Sequence, residues 1–174
     1  MATTPAVRDA ERRPLALLFV YSWDMLRALL ALVAAVSAFA GGIVVRGHAY
    51  TLPAYAQVIS ALSSAAFAAT LIILAALLTR HQRWVRDVQI WSLVITIVLI
   101  VASLAAEGSY DTGSLLGGGV VIVLDVVAIA AMMGRVRTWY SEPGTVPLYV
   151  TACLAFWAAI NATFVLYTAV GVPR

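Results

Sequence analysis

Five apolar stretches, each long enough to cross a lipid bilayer and joined only by short polar segments, constrain this chain more than any other feature. A helix needs about 20 consecutive apolar residues to span the hydrocarbon core. The stretches run over residues 15–45, 54–79, 88–106, 115–134 and 148–170. They predict an all-α, polytopic membrane bundle of five transmembrane helices. Residues 1–14 form a polar tail, and residues 15–174 form a single membrane domain. Of the 174 residues, 63% are hydrophobic and 11% charged. A soluble domain usually carries about 25% charged residues, and a compact fold of this size still exposes much of its surface. Hydrocarbon is the solvent that suits such a composition.

The first stretch is interrupted only by Asp24 and Arg27. Its length predicts an interfacial lead-in from Leu15 to Trp23, with Phe19, Tyr21 and Trp23 at headgroup depth, and a spanning part over residues 24–44. Ala38-Phe39-Ala40 resembles a small-residue cleavage site, and Arg12-Arg13 superficially resembles a twin-arginine signal. The apolar run exceeds the roughly 7–15 residues of a signal peptide, so it reads as a retained helix.

The basic residues are eleven arginines and no lysine. Arg8, Arg12, Arg13, Arg27, Arg80, Arg83, Arg86, Arg135 and Arg137 fall at one end of the predicted spans, and Arg46 and Arg174 at the other. Over short loops this asymmetry sets orientation, because arginine and lysine are retained on the cytoplasmic side. The expected arrangement has the N-terminus in the cytoplasm and the C-terminus outside, in a bacterial cytoplasmic (inner) membrane. The net charge of +3 is thereby a topology signal rather than a nucleic-acid footprint. Arg80, Arg83, Arg86, Arg135 and Arg137, beside Trp84 and Trp139, are expected to contact anionic lipid headgroups. Without lysine, neither a Schiff base nor a P-loop can form.

Few polar side chains interrupt the spans, and these are the candidate site residues. Asp125 falls near the centre of the fourth stretch, where an aspartate costs at least ~2.5–3.5 kcal/mol on insertion scales. Asn161, in the fifth, is the expected hydrogen-bond partner. Asp24 and Arg27 are three residues apart, share a helix face and are expected to neutralise each other. Ser60, Ser64 and Ala68 form one small-residue stripe on the second helix, with Ala61, Ala65 and Ala69 beside it. Such stripes let helix backbones approach closely in lipid, against another helix of this chain or another subunit.

Other features carry less. His48 and His81 fall at opposite ends of the second span, so they cannot share a haem iron. No spacing suggests a metal site, and no cofactor is expected. Cys153 reads as a buried structural thiol. Arg46, His48, Glu107, Ser109 and Asp111 share the outer loops, but no nucleophile elbow surrounds Ser109. Arg80-x-x-x-Trp84-x-x-Asp87 echoes Arg135-x-x-x-Trp139-x-x-Glu142. The echo reads either as a duplicated hairpin or, preferably, as the ordinary composition of inner turns.

Three functions follow, in order of expectation. The first is a non-catalytic subunit of a larger membrane assembly (respiratory, transport or envelope), the expected partners being other membrane subunits or further copies of this chain. The second is a small transporter or channel component using Asp125 for a proton or cation. The third is an intramembrane enzyme acting on lipid, which would need a second ionisable group at the depth of Asp125.

Overall fold

A computed structural model describes residues 15–40, 43–45, 48–107 and 112–170, all backbone statements below being confined to these. Five helices dominate: α1 (Leu15–Ser37), α2 (Ala54–Leu77), α3 (Arg83–Glu107), α4 (Thr112–Met133) and α5 (Leu148–Val170). At 1.5 Å per residue they are roughly 33–38 Å long, and all five are long and apolar enough to cross a membrane. Large apolar side chains such as Leu29, Val36, Trp91, Val123 and Leu166 lie exposed on the outside of the bundle. Water would make that surface an aggregation liability, whereas it is what a multi-pass membrane protein presents to lipid.

The helix boundaries have local causes. Pro53 caps α2 in extended geometry, its carbonyl accepting from the N–H groups of Ala56 and Gln57. Pro147 plays the same part for α5, accepting from Val150. Proline suits these positions because its ring presets φ and its missing N–H is not needed in a first turn.

Two sequence expectations are corrected at the edges of the spans. The first helix stops at Ser37 and passes through a 3-10 turn, Ala38–Ala40, so the stretch to Val45 is not one helix. Ile43–Val45 and His48–Tyr50 instead pair as a short antiparallel ribbon, Val44 opposite Ala49, in the segment expected to be helix end and loop. Three β-branched residues after two glycines favour extended pairing over a further helical turn. Among the described residues the fold is therefore helical apart from this ribbon and one isolated bridge between Gln82 and Glu142. In α3, Arg83 to Asp87 form the first helical turn rather than a loop, and Thr112–Ser114 already belong to α4.

Packing is lopsided. The buried core gathers Leu17 and Val20 of α1, Leu71 and Leu74 of α2, Val85 and Val88 of α3, Met132 of α4, and Val136, Tyr140 and Val150 beyond it. All lie toward the end of the bundle that carries Arg80 and Arg137. The opposite halves of α1, α4 and α5 are mostly exposed or half-buried.

The arginine-rich end is closed by two interlocked turns. The Arg83 N–H donates to the Glu142 carbonyl and the Glu142 N–H to that of His81, each at 2.9 Å. The His81 ring packs against Trp139 at 4.4 Å between centroids, and Tyr140 Oη donates to the Leu78 carbonyl at 3.0 Å. The echoed tryptophans are not equivalent here. Trp84 is the second residue of α3, while Trp139 follows the 3-10 turn Arg135–Thr138, well before α5.

Candidate functional site: a buried ion cluster between three helices

Helix α1 buries Leu17, Val20, Trp23, Asp24, Arg27, Ala28 and Ala31. This is the three- and four-residue spacing that puts side chains on one helical face, and its middle is polar. Opposite it, α3 presents Gln89, Ser92 and Thr96, which share a face for the same reason. Asp125 arrives from α4 on the stripe that also holds Ala128 and Met132. Three helices thus bring a polar group into an apolar bundle.

The contacts are close. Trp23 Nε1 donates to Asp125 Oδ1 at 2.7 Å, and Gln89 Nε2 to Asp24 Oδ1 at 2.7 Å. Arg27 stands between the two carboxylates, with Nη1 3.5 Å from Asp24 Oδ1 and Nε 3.8 Å from Asp125 Oδ1. Its Nη2 turns the other way, donating to Thr96 Oγ1 at 2.6 Å and to the Ser92 carbonyl at 3.3 Å. The guanidinium also lies 5.4 Å from the ring centre of Phe67, which stacks on Trp157 at 3.7 Å. Asp24 and Asp125 are both 0% exposed, and Arg27 5%.

Charge does not balance. Among the described residues Arg27 is the one cation paired with either carboxylate, so two ionised aspartates leave the cluster at −1. In a low-dielectric interior an uncompensated charge is expensive. Among the described residues, Asp24 Oδ2, Asp125 Oδ2, Gln89 Oε1 and Arg27 Nη1 are buried without a hydrogen-bond partner. A network selected for rigidity alone is expected to be satisfied throughout. A neutral state follows once one carboxyl oxygen carries a proton.

The cluster lies near the middle of its helices, Asp125 being the fourteenth of the 22 residues of α4 and Arg27 the thirteenth of the 23 of α1. Asp125 is eight residues from the end of α4 at Met133, roughly 12 Å along the helix. Its partner is Trp23, not Asn161, which instead donates through Nδ2 to the Trp157 carbonyl of its own helix at 2.9 Å. Trp23, expected at headgroup depth, is buried. Asp24 and Arg27 do form their pair. Gln89, Ser92 and Thr96 are not among the sequence candidates, and Trp23 is expected there only as an interfacial side chain, although the periodic placement of the four on two apolar helices is a usable signal.

Comparison with protein-family models, with curated proteins and with solved structures finds no match to this chain. Function is therefore argued from the site itself.

The remaining candidates lie elsewhere. On α2, Ala61 and Ala68 are buried, Ser60, Ser64 and Ala65 half-buried, and Ala69 exposed. This helix packs most extensively on α1 of the same chain. At the arginine-rich end Arg80, Arg83 and Arg137 are exposed and Arg86 half-buried. Arg83 Nε donates to the Ser141 carbonyl at 3.1 Å, and Arg86 pairs with Asp87 at 2.6 Å. Burial pushes the Tyr140 phenol above its ordinary pKa, with the negative charge of Asp24 adding to the effect and Arg86 opposing it. Cys153 is a half-buried free thiol. The side chains of His48, Glu107 and Arg135, and residues Arg46, Ser109, Asp111 and Arg174, lie outside what is described.

Proposed function

We propose that this chain is a multi-pass protein of a bacterial cytoplasmic membrane that moves a proton through the Asp24–Arg27–Asp125 cluster, as a small transporter or channel component. The reading rests on one observation: two buried carboxylates face a single guanidinium, and each keeps an oxygen without a partner. A proton suits that surplus better than a metal cation. Arg27 already occupies the space between the carboxylates, and a hard cation needs several oxygen ligands around it. Intramembrane carboxylates of this kind are functional by default. The arginine asymmetry argues for a cytoplasmic N-terminus and an external C-terminus, and for anionic lipids around Arg80, Arg83 and Arg86.

The test is proton flux in proteoliposomes under an imposed pH gradient. Asp125→Asn keeps an acceptor for the Trp23 N–H but cannot bind the extra proton. Flux is expected to fall to the level of empty liposomes while the protein still elutes as a folded species. Undiminished flux in that variant, or none in the parent, would overturn the proposal.

A second reading, a non-catalytic subunit of a respiratory, transport or envelope assembly, is favoured by α5. Over its apolar length this helix is the least buried of the five, leaving Tyr149, Phe156 and Tyr167 exposed. Stoichiometric companions after gentle detergent extraction would support it, and a clean single species would count against it. An enzyme acting on lipid gains no support, because no lipid carbonyl or phosphate can touch carboxylates that are wholly enclosed.

A further inference from the structure

A cleft of about 280 Å³ opens between α3 and α5 on the side of the cluster away from the arginines. Thr96 and Trp157 lie at its deep end, and Ser103, Asn161 and Thr168 line it toward the ends of the two helices. From Thr96 to Ser103 is seven residues, roughly 10 Å of α3. Thr96 belongs to both places: it lines the cleft, and its hydroxyl accepts the Arg27 Nη2 hydrogen bond. Trp157 also belongs to both, since it stacks on the Phe67 ring that faces the guanidinium.

We infer that this cleft is a hydrated entry path, reaching the ion cluster from the end of the bundle opposite the arginines, with the Arg27 guanidinium as its floor. Water needs polar partners and only roughly 10–15 Å³ of space for its centre; Thr96, Ser103, Asn161 and Thr168 offer the partners along a wall otherwise made by Leu99, Ile100, Phe164 and Val165. Two larger clefts, of about 440 and 500 Å³, touch no member of the cluster. On the arginine side the route is shut. Val20, Val85, Val88 and Met132, each buried, precede or follow the cluster on their helices in that direction.

The floor gives selectivity. A guanidinium at the end of the path repels any cation that must travel as an intact ion, whereas a proton passes along hydrogen-bonded waters and reaches the carboxylates behind Arg27 once its bond to Thr96 opens. A hydronium ion in the cleft then gives its proton to Asp125 Oδ2: one O–H bond breaks in the hydronium, one forms on the carboxyl, and water remains. The cargo rests on the proton reading above, while the hydration and sidedness of the cleft can be tested without it.

In a Cys153→Ala background, single variants Ser103→Cys and Asn161→Cys would be treated with a membrane-impermeant methanethiosulfonate in oriented vesicles, with Arg137→Cys marking the arginine-rich side. Ser103→Cys changes one atom, so folding is retained even where Asn161→Cys is not. Val101→Cys, exposed on the outer surface of α3, serves as the lipid-facing reference. Positions 103 and 161 are expected to react at least about tenfold faster than 101, and only from the side opposite 137. Reaction no faster than at 101, or equally from both sides, would overturn the inference. Labelling without flux would leave the path standing and sink the transport reading; flux with position 103 inert would do the reverse.

Discussion

Trp23 and Asp125 meet across 102 residues of chain: the indole Nε1 of α1 donates to the carboxylate of α4 at 2.7 Å, both side chains buried. The bond ties the first helix to the fourth at the point where the cluster has surplus negative charge. It also fixes which oxygen of Asp125 is engaged, leaving Oδ2 as the one without a partner.

Replacing Trp23 by Phe keeps most of the buried ring and removes the N–H. Loss of a donor to a buried carboxylate costs about 1–3 kcal/mol, so the variant is expected to unfold earlier in detergent denaturation by that margin. Unchanged stability would mean that Asp125 is satisfied by something other than the indole.

Arg27 is the group whose removal does most harm. Arg27→Gln leaves two buried carboxylates without a counter-charge, and breaking a buried pair by removing one partner costs about 3–5 kcal/mol. The double variant Asp24→Asn/Arg27→Gln removes one of the stranded charges and should recover a large part of that loss. Denaturation midpoints of the parent, both single variants and the double variant would measure the coupling as a thermodynamic cycle. Strict additivity would show that the 3.5 Å contact between Asp24 and Arg27 contributes nothing.

What the sequence made legible follows from what each signal encodes. Hydropathy reports solvent, so five apolar helices could be read directly, and α5 was placed at its observed bounds, Leu148–Val170. Periodicity cannot separate a short apolar helix end from a strand, which is why Ile43–Val45 was assigned to the first span. Charge misled at Arg83 to Asp87, because a helix carries such residues in its first turn as readily as a loop does. The Asp24–Arg27 pair was visible because it is local. The partner of Asp125 was not, since a single sequence holds no information on which helices face each other; Asn161 was the natural polar choice, and α1 supplied Trp23 instead. The stripe Gln89, Ser92, Thr96 was readable, three polar residues at helical spacing in an aliphatic helix, and it marks the wall facing Arg27.

The turns at the arginine-rich end make a separate prediction. A β-carbon on Gly144 would come within 2.8 Å of Trp84 Cδ1, and Trp84 is itself buried and bonded through Nε1 to Gln82 at 2.7 Å. The indole has no easy way to retreat. Gly144→Ala should therefore destabilise the fold by about 1–3 kcal/mol, the usual cost of overpacking. Thermal unfolding followed by tryptophan fluorescence would register it. A variant as stable as the parent would mean that the 143–147 segment moves off Trp84 freely.

Tyr140 predicts how stability responds to alkali. Its hydroxyl donates to the Leu78 carbonyl from a buried position, and burial holds its pKa above the ordinary value. In the unfolded chain a tyrosine releases its proton near pH 10. Between that value and the higher folded one, the folded state binds more protons than the unfolded state. Stability from this group is then complete below about pH 10 and is lost as pH rises further. Tyr140→Phe removes both the hydrogen bond and the titration. The variant is expected to be less stable by about 1 kcal/mol at neutral pH, yet to decline less steeply than the parent above about pH 10. Parallel stability curves across that range would show that the phenol ionises without disturbing the fold, and that the Tyr140–Leu78 contact does not hold the two turns together.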